Sequence, residues 1–132
     1  RAQLVSEVMR PALARGEWII CDRFWLSTLV YQGLVGGVRP GMVGELSALA
    51  TGGLKPDRCF VVWVPLSVGA RRRSHRAADR MESKGDGFLR AVSAAYRREA
   101  RRHPRLYTLV DGRGRVEEVE ARIWQAVEPL VR

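Results

Sequence analysis

The sequence predicts an α/β domain built on a parallel sheet, and three observations carry that reading. Residues 18–21, 59–64 and 106–110 are short, continuously apolar runs, the pattern of strands buried on both faces. Helical patterns separate these runs, as right-handed crossovers between parallel strands require. The first and last runs end abruptly on polar pairs, Asp22-Arg23 and Asp111-Gly112, which places ligand-competent groups at strand ends.

The elements follow in chain order. Ala2, Val5, Val8, Met9, Ala12 and Leu13 recur at helical spacing, Pro11 predicts a kink, and Gly16 supplies the stop. Residues 18–21 are the first expected strand. Met42, Leu46 and Leu49 make one face of a helix closed by Gly52-Gly53. Residues 59–64 are the second strand. Phe88, Val92, Ala95, Tyr96 and Glu99 span a helix that stops before Pro104. Residues 106–110 are the third strand, and Val116, Val119, Ile123, Val127 and Leu130 form a closing helix. There is no internal repeat, low-complexity tract or linker, so residues 1–132 are expected to belong to one domain.

Composition narrows the function. No apolar run approaches the ~20 residues of a membrane span, and no membrane partner is expected. Cys21 and Cys59 each lie in an apolar run and are expected to be buried thiols of a reducing, cytoplasmic compartment. Two cysteines and the distant His75 and His103 lack metal-ligand spacing. The net charge is +9, and Lys55 and Lys84 are the only lysines among 23 basic residues. That excess of bases calls for an anionic partner, either nucleic acid or a phosphorylated small molecule.

Distribution decides between them. Asp22 and Arg23 stand at the carboxyl edge of the first expected strand, where a carboxylate can orient a hydrated metal and an arginine can grip phosphate through two hydrogen bonds. Ser27, Thr28, Tyr31 and Gln32 leave the same edge and offer donors, acceptors and an aromatic face, as a base-and-sugar pocket needs. Arg71, Arg72, Arg73, Arg76 and Arg80 crowd together after the second strand, and a helix would align Arg72, Arg76 and Arg80. Phosphoryl transfer relies on positioning and charge stabilisation, which such arginines supply. Asp79 and Glu82 interleave this run and no aromatic does, so a nucleic-acid partner is not expected there.

In order, these pieces resemble thymidylate kinase of the bacterial type. The likeness runs through Arg1-Ala-Gln-Leu-Val5, Pro11-Ala-Leu-Ala-Arg-Gly16, Cys21-Asp-Arg-Phe24, Ser27-Thr28, Tyr31-Gln-Gly33 and Lys55-Pro-Asp57. It continues through Val68-Gly69, Asp79-Arg-Met-Glu82 and Val110-Asp-Gly112. The resemblance implies a P-loop-kinase-like parallel sheet with three of about five strands present, an Arg-rich lid at about 69–84, and phosphorylation of dTMP to dTDP with ATP and Mg2+. It implies that Arg23 binds the acceptor phosphate and that Asp22 lies near magnesium. Arg1, Thr28 and Gln32 become base-side contacts, Ser27 a further substrate contact, and Tyr31 the aromatic that crowds the sugar 2′ position. Arg72, Arg76 and Arg80 become lid arginines over ATP, with the catalytic arginine in that lid, here Arg76. A homodimer is also implied.

Departures from the family bound that expectation. No Gly-x-x-x-x-Gly-Lys-Ser/Thr occurs in the sequence, so the backbone cradle for the donor phosphates is missing. Arg1 enters a helix pattern with neither Met nor cap, and the chain is expected to be the C-terminal portion of a longer kinase. Gly36 stands where the family often has Arg. Two alternatives stay open on the sequence: a kinase for another monophosphate, and a non-catalytic nucleotide- or RNA-binding remnant.

Overall fold

The structure is a computed structural model that describes residues 1–75 and 82–131. The chain divides into two compact units, Arg1–Pro56 and Asp57–Arg132.

The first unit is helical. Ala2–Leu4 (α1), a π-helical turn at Val5–Met9 and Arg10–Ala14 (α2) run on without a break. The irregularity expected at Pro11 sits in the preceding turn. Pro11 lacks an N–H and its ring crowds the carbonyl of Glu7, and the chain widens by one residue so that the Arg10 N–H reaches the Val5 carbonyl. Gly16, at φ +76°, ends the helix as predicted. Trp25–Thr28 (α3) continues into a second π turn, Leu29–Leu34, and Pro40–Thr51 (α4) follows, closed by left-handed Gly52. Val5, Met9, Ala12, Leu26, Val30 and Val43 are buried.

One reading of this unit is corrected, and one predicted face turns out to be exposed. Residues 18–21 form no strand: no ladder of hydrogen bonds engages them among the described residues, and Trp18 and Ile20 are 69% and 99% exposed. An apolar run becomes a strand only when another strand satisfies its backbone groups. Cys21, expected buried, is exposed for the same reason. On α4, the buried row is Val43, Ser47 and Thr51, whereas Met42, Leu46 and Leu49 face outward. The turn Leu29–Leu34 packs on α4, with Gly33 buried.

The second unit is a small α/β layer. Cys59–Trp63 (β1) pairs in parallel with Tyr107–Asp111 (β2), with Cys59 opposite Tyr107 and Trp63 opposite Asp111. Leu66–Arg73 (α5), a 3-10 turn at Glu82–Lys84 and Asp86–Arg102 (α6) connect them, and Val116–Val131 (α7) closes the chain. The α/β class and the strands expected at 59–64 and 106–110 hold. Helix α6 packs against both strands and buries Val92, Ala95, Glu99 and Ala100, on the face of the ribbon that carries Val61, Trp63 and Tyr107, while Val110 is buried on the other face. This amphipathic burial is the main stabilising term in so small a unit. No helix among the described residues is long and apolar enough to cross a membrane.

Candidate functional site

The residues singled out between positions 1 and 32 mostly converge within the first unit. Helix α3 starts two residues after Arg23, so successive turns bring Ser27, Thr28 and Tyr31 back toward the Asp22-Arg23 dipeptide. The Nε of Arg23 donates to Ser27 Oγ at 3.2 Å, and its guanidinium lies 5.1 Å from the centre of the Tyr31 ring. Arg23 adopts φ +65°, the only left-handed non-glycine among the described residues. Such a backbone costs on the order of 1–2 kcal/mol and is characteristic of functional turns.

Arg1 reaches the same helix from α1. Its Nη2 donates to Thr28 Oγ1 at 2.6 Å and to the Phe24 carbonyl at 3.5 Å, and the guanidinium lies 5.5 Å from the Phe24 ring centre. Two arginines, two hydroxyls and two aromatic rings thus share one surface, with Arg1, Asp22 and Arg23 exposed and Ser27, Thr28 and Tyr31 half-buried. Gln32 is exposed, and its backbone carbonyl accepts from the Val38 N–H. The sequence motif Cys21-Asp-Arg-Phe24 includes Phe24 but assigns it no role, although an aromatic beside Asp-Arg is a signal for cation–π stacking.

The turn after Tyr31 explains Gly36. A Cβ there would lie 2.8 Å from the Gln32 carbonyl oxygen and still closer to that of Tyr31. The tight approach excludes any larger side chain, arginine included.

The second unit carries the remaining residues. Arg72, on α5, donates from Nη2 to the Gly114 carbonyl at 3.2 Å. Arg76 and Arg80 lie outside the described residues. At the carboxyl end of β2 a cluster appears that the sequence reading named only as Asp-Gly. Arg113 grips Asp111 through Nε at 3.0 Å and Nη2 at 2.6 Å, and Arg122 Nη1 donates to the carbonyls of Asp111 and Arg113 at 2.7 and 2.6 Å. The Arg113 hydrogen bonds pull the Asp111 carboxyl down to about 2. The free thiol of Cys59 is pushed up by burial. No group of three or more His, Cys, Asp or Glu among the described residues could hold a metal ion.

With this geometry in place, the thymidylate kinase family model matches residues 1–123. The chain belongs to the thymidylate kinase family. The thymidylate kinase of Rhodopseudomonas palustris (strain TIE-1) is 39% identical over 127 residues, covering 93% of this chain and 55% of the relative. That of Pseudomonas putida (strain GB-1) is 40% identical over 121 residues, covering 91% and 58%. The crystal structure of thymidylate kinase from Ehrlichia chaffeensis superposes with a TM-score of 0.72 over 97% of this chain and 58% of its own, at 20% identity, and so supports the fold. The chain therefore spans a little over half the length of the thymidylate kinases it matches.

Proposed function

We propose that the protein to which this chain belongs transfers the γ-phosphoryl group of ATP to dTMP, and that residues 1–32 form its acceptor side. The observation that carries this is the paired constellation of Arg23 with Ser27 and Tyr31, and Arg1 with Thr28, in a chain of the thymidylate kinase family.

Each part has a task that follows from its chemistry. Arg23, oriented by Ser27 Oγ and the Tyr31 face, neutralises the acceptor phosphate. A positioned guanidinium is worth more here than a mobile lysine, because phosphoryl transfer gains chiefly from fixed charge. Arg1 and Thr28 present a donor and a hydroxyl to the base edge, Gln32 joins them from the exposed side, and the Tyr31 ring excludes a 2′-hydroxyl. Asp22 is an exposed carboxylate at this edge. Mg2+ retains waters and is held by one or two carboxylates together with substrate phosphates, so Asp22 fits an indirect role without a full protein cage. The sequence contains no cradle for the donor phosphates, so the residues here account for the acceptor and not for the ATP triphosphate. Arg72, with Arg76 and Arg80, is assigned to the ATP side, and Arg76 to catalysis.

Two further expectations have support of their own. The outward stripe of Met42, Leu46 and Leu49 on α4 is an apolar surface of the kind a homodimer covers. Free Cys21 and Cys59 suit a reducing cytoplasm. The test of substrate class is a panel of monophosphates offered to the whole protein with Mg-ATP, followed by ADP release. The proposal requires dTMP to be preferred over dUMP, dCMP and the ribonucleotides. Equal or better turnover of another monophosphate overturns it.

A further inference from the structure

Phe24 occupies the N-cap of α3, a position that favours Ser, Thr, Asp or Asn, whose side chains accept from a free backbone N–H of the first turn. It makes no side-chain cap bond. The core does not account for the aromatic either: Leu26 and Val30 are 4% and 0% exposed, whereas Phe24 is only half-buried. A large apolar ring thus stands where neither helix initiation nor core packing calls for one.

The ring does meet Arg1. The Arg1 guanidinium lies 5.5 Å from its centre, within cation–π range, while Nη2 donates to Thr28 Oγ1 at 2.6 Å and to the Phe24 carbonyl at 3.5 Å. Thr28 stands four residues after Phe24, one helical turn on, so ring and hydroxyl form one row, with Arg23 and Ser27 in the row beside it. Each arginine therefore has its own aromatic and its own hydroxyl: Tyr31 and Ser27 for Arg23, Phe24 and Thr28 for Arg1. No carboxylate among the described residues pairs with Arg1, so neutral groups alone hold its charge. Its Nη1 and Nε donors engage no group among the described residues.

We propose that Phe24 is a positioning residue for base selection: its ring and carbonyl fix Arg1, and through Arg1 it sets the preference for a base edge bearing a carbonyl oxygen over one bearing an amino group. This rests on the reading above that Arg1 faces the acceptor base. A guanidinium donates and never accepts, so a fixed one suits the O4 of thymine or uracil and is mismatched to the N4 amino group of cytosine. Fixing matters because a long side chain left to rotate must be ordered at each binding event, and stacking on Phe24 removes that cost in advance. An acidic partner could hold Arg1 as firmly, but it would offset the charge that the base edge is meant to feel. An aromatic ring orients the cation and leaves its hydrogen-bonding edge open. Phe24 acts on binding of the acceptor and touches no reacting atom, so its effect belongs to KM and not to kcat.

The experiment is steady-state kinetics of the whole protein at saturating Mg-ATP, with dTMP and dUMP as substrates and dCMP as a competitive inhibitor. Phe24→Leu should raise KM for dTMP and for dUMP about threefold to fivefold, with kcat and the inhibition constant of dCMP held within a factor of about two. Phe24→Met supplies a second ring-free side chain and is read in the same way, whereas Phe24→Tyr keeps the ring and should retain most of the discrimination. In an Arg1→Met background Phe24→Leu should add nothing, since the two act as one unit. Unchanged KM values, additive effects of the two substitutions, or equal weakening of dTMP and dCMP overturn the proposal, the last by marking a merely structural ring. An Arg1→Met variant with an unaltered KM for dTMP overturns it from the other side, by removing Arg1 from the base. Failure of the dTMP reading itself looks different: the natural protein would then show no preference for dTMP before any substitution is made.

Discussion

Arg23 is the most tightly constrained arginine of the proposed acceptor site. It combines a left-handed backbone, a hydrogen bond to Ser27 and stacking on Tyr31, so its guanidinium is set by three independent constraints. Asp111 shows the same residue-scale logic at the sheet edge, and there the consequence is a pH dependence. Its carboxyl is depressed from 3.8 to about 2 by Arg113, so the folded state favours the ionised form. The stabilisation is complete above the unfolded value and is lost as pH falls through the folded value. Urea midpoints of the whole protein, measured from pH 6 to pH 2, should therefore decline more steeply below pH 4 than those of its Asp111→Asn variant. Parallel declines would show that the pair contributes nothing. Most of these residues were legible in the sequence because Asp-Arg, Ser-Thr and Tyr-Gln-Gly lie close together and a single helix turn suffices to gather them. Arg113 and Arg122 were not, since arginines are frequent throughout the chain and nothing local marks the two that close on Asp111.

At the scale of elements, legibility followed how local the determinants are. Helix α6 and helix α7 were readable from apolar spacing and from Pro104, and β1 and β2 from apolar runs whose partners lie within the chain. The run at 18–21 reads identically, yet it stays irregular because a strand is defined by its neighbour and none pairs with it among the described residues. The facing of α4 was equally hidden: it depends on packing against the π turn Leu29–Leu34, and no periodicity reports a contact of that kind. The Gly36 turn provides a test at this scale. Gly36→Ala should destabilise by about 1–3 kcal/mol, the usual cost of forcing atoms into a packed site, because its Cβ meets the carbonyls of Tyr31 and Gln32. Gly44→Ala, in open space within α4, should instead stabilise by about 0.5–1 kcal/mol. Equilibrium denaturation of both variants of the whole protein decides the matter, and the same sign for both would contradict the geometry.

For the molecule as a whole, the dominant features are exposed apolar surface and positive charge. Trp18, Ile20, Leu46, Leu49, Val116 and Trp124 are each more than half exposed, a large apolar area for 132 residues. The chain by itself should bind a hydrophobic dye and melt with poor cooperativity. Replacing Trp18 and Ile20 by lysine should lower dye binding without lowering the melting midpoint, because neither side chain contributes to a core. A sharp melt with no dye signal would show that these surfaces are covered. The net charge of +9 fits phosphate-bearing ligands. That the acceptor side resides in residues 1–32, with Arg23 gripping the phosphate, is tested most directly by steady-state kinetics on the whole protein and its Arg23→Ala variant, with dTMP varied at saturating Mg-ATP. A fall in kcat/KM of about 10²–10³-fold, partly recovered by Arg23→Lys, is the predicted result, and turnover within a factor of two of the natural protein would contradict it.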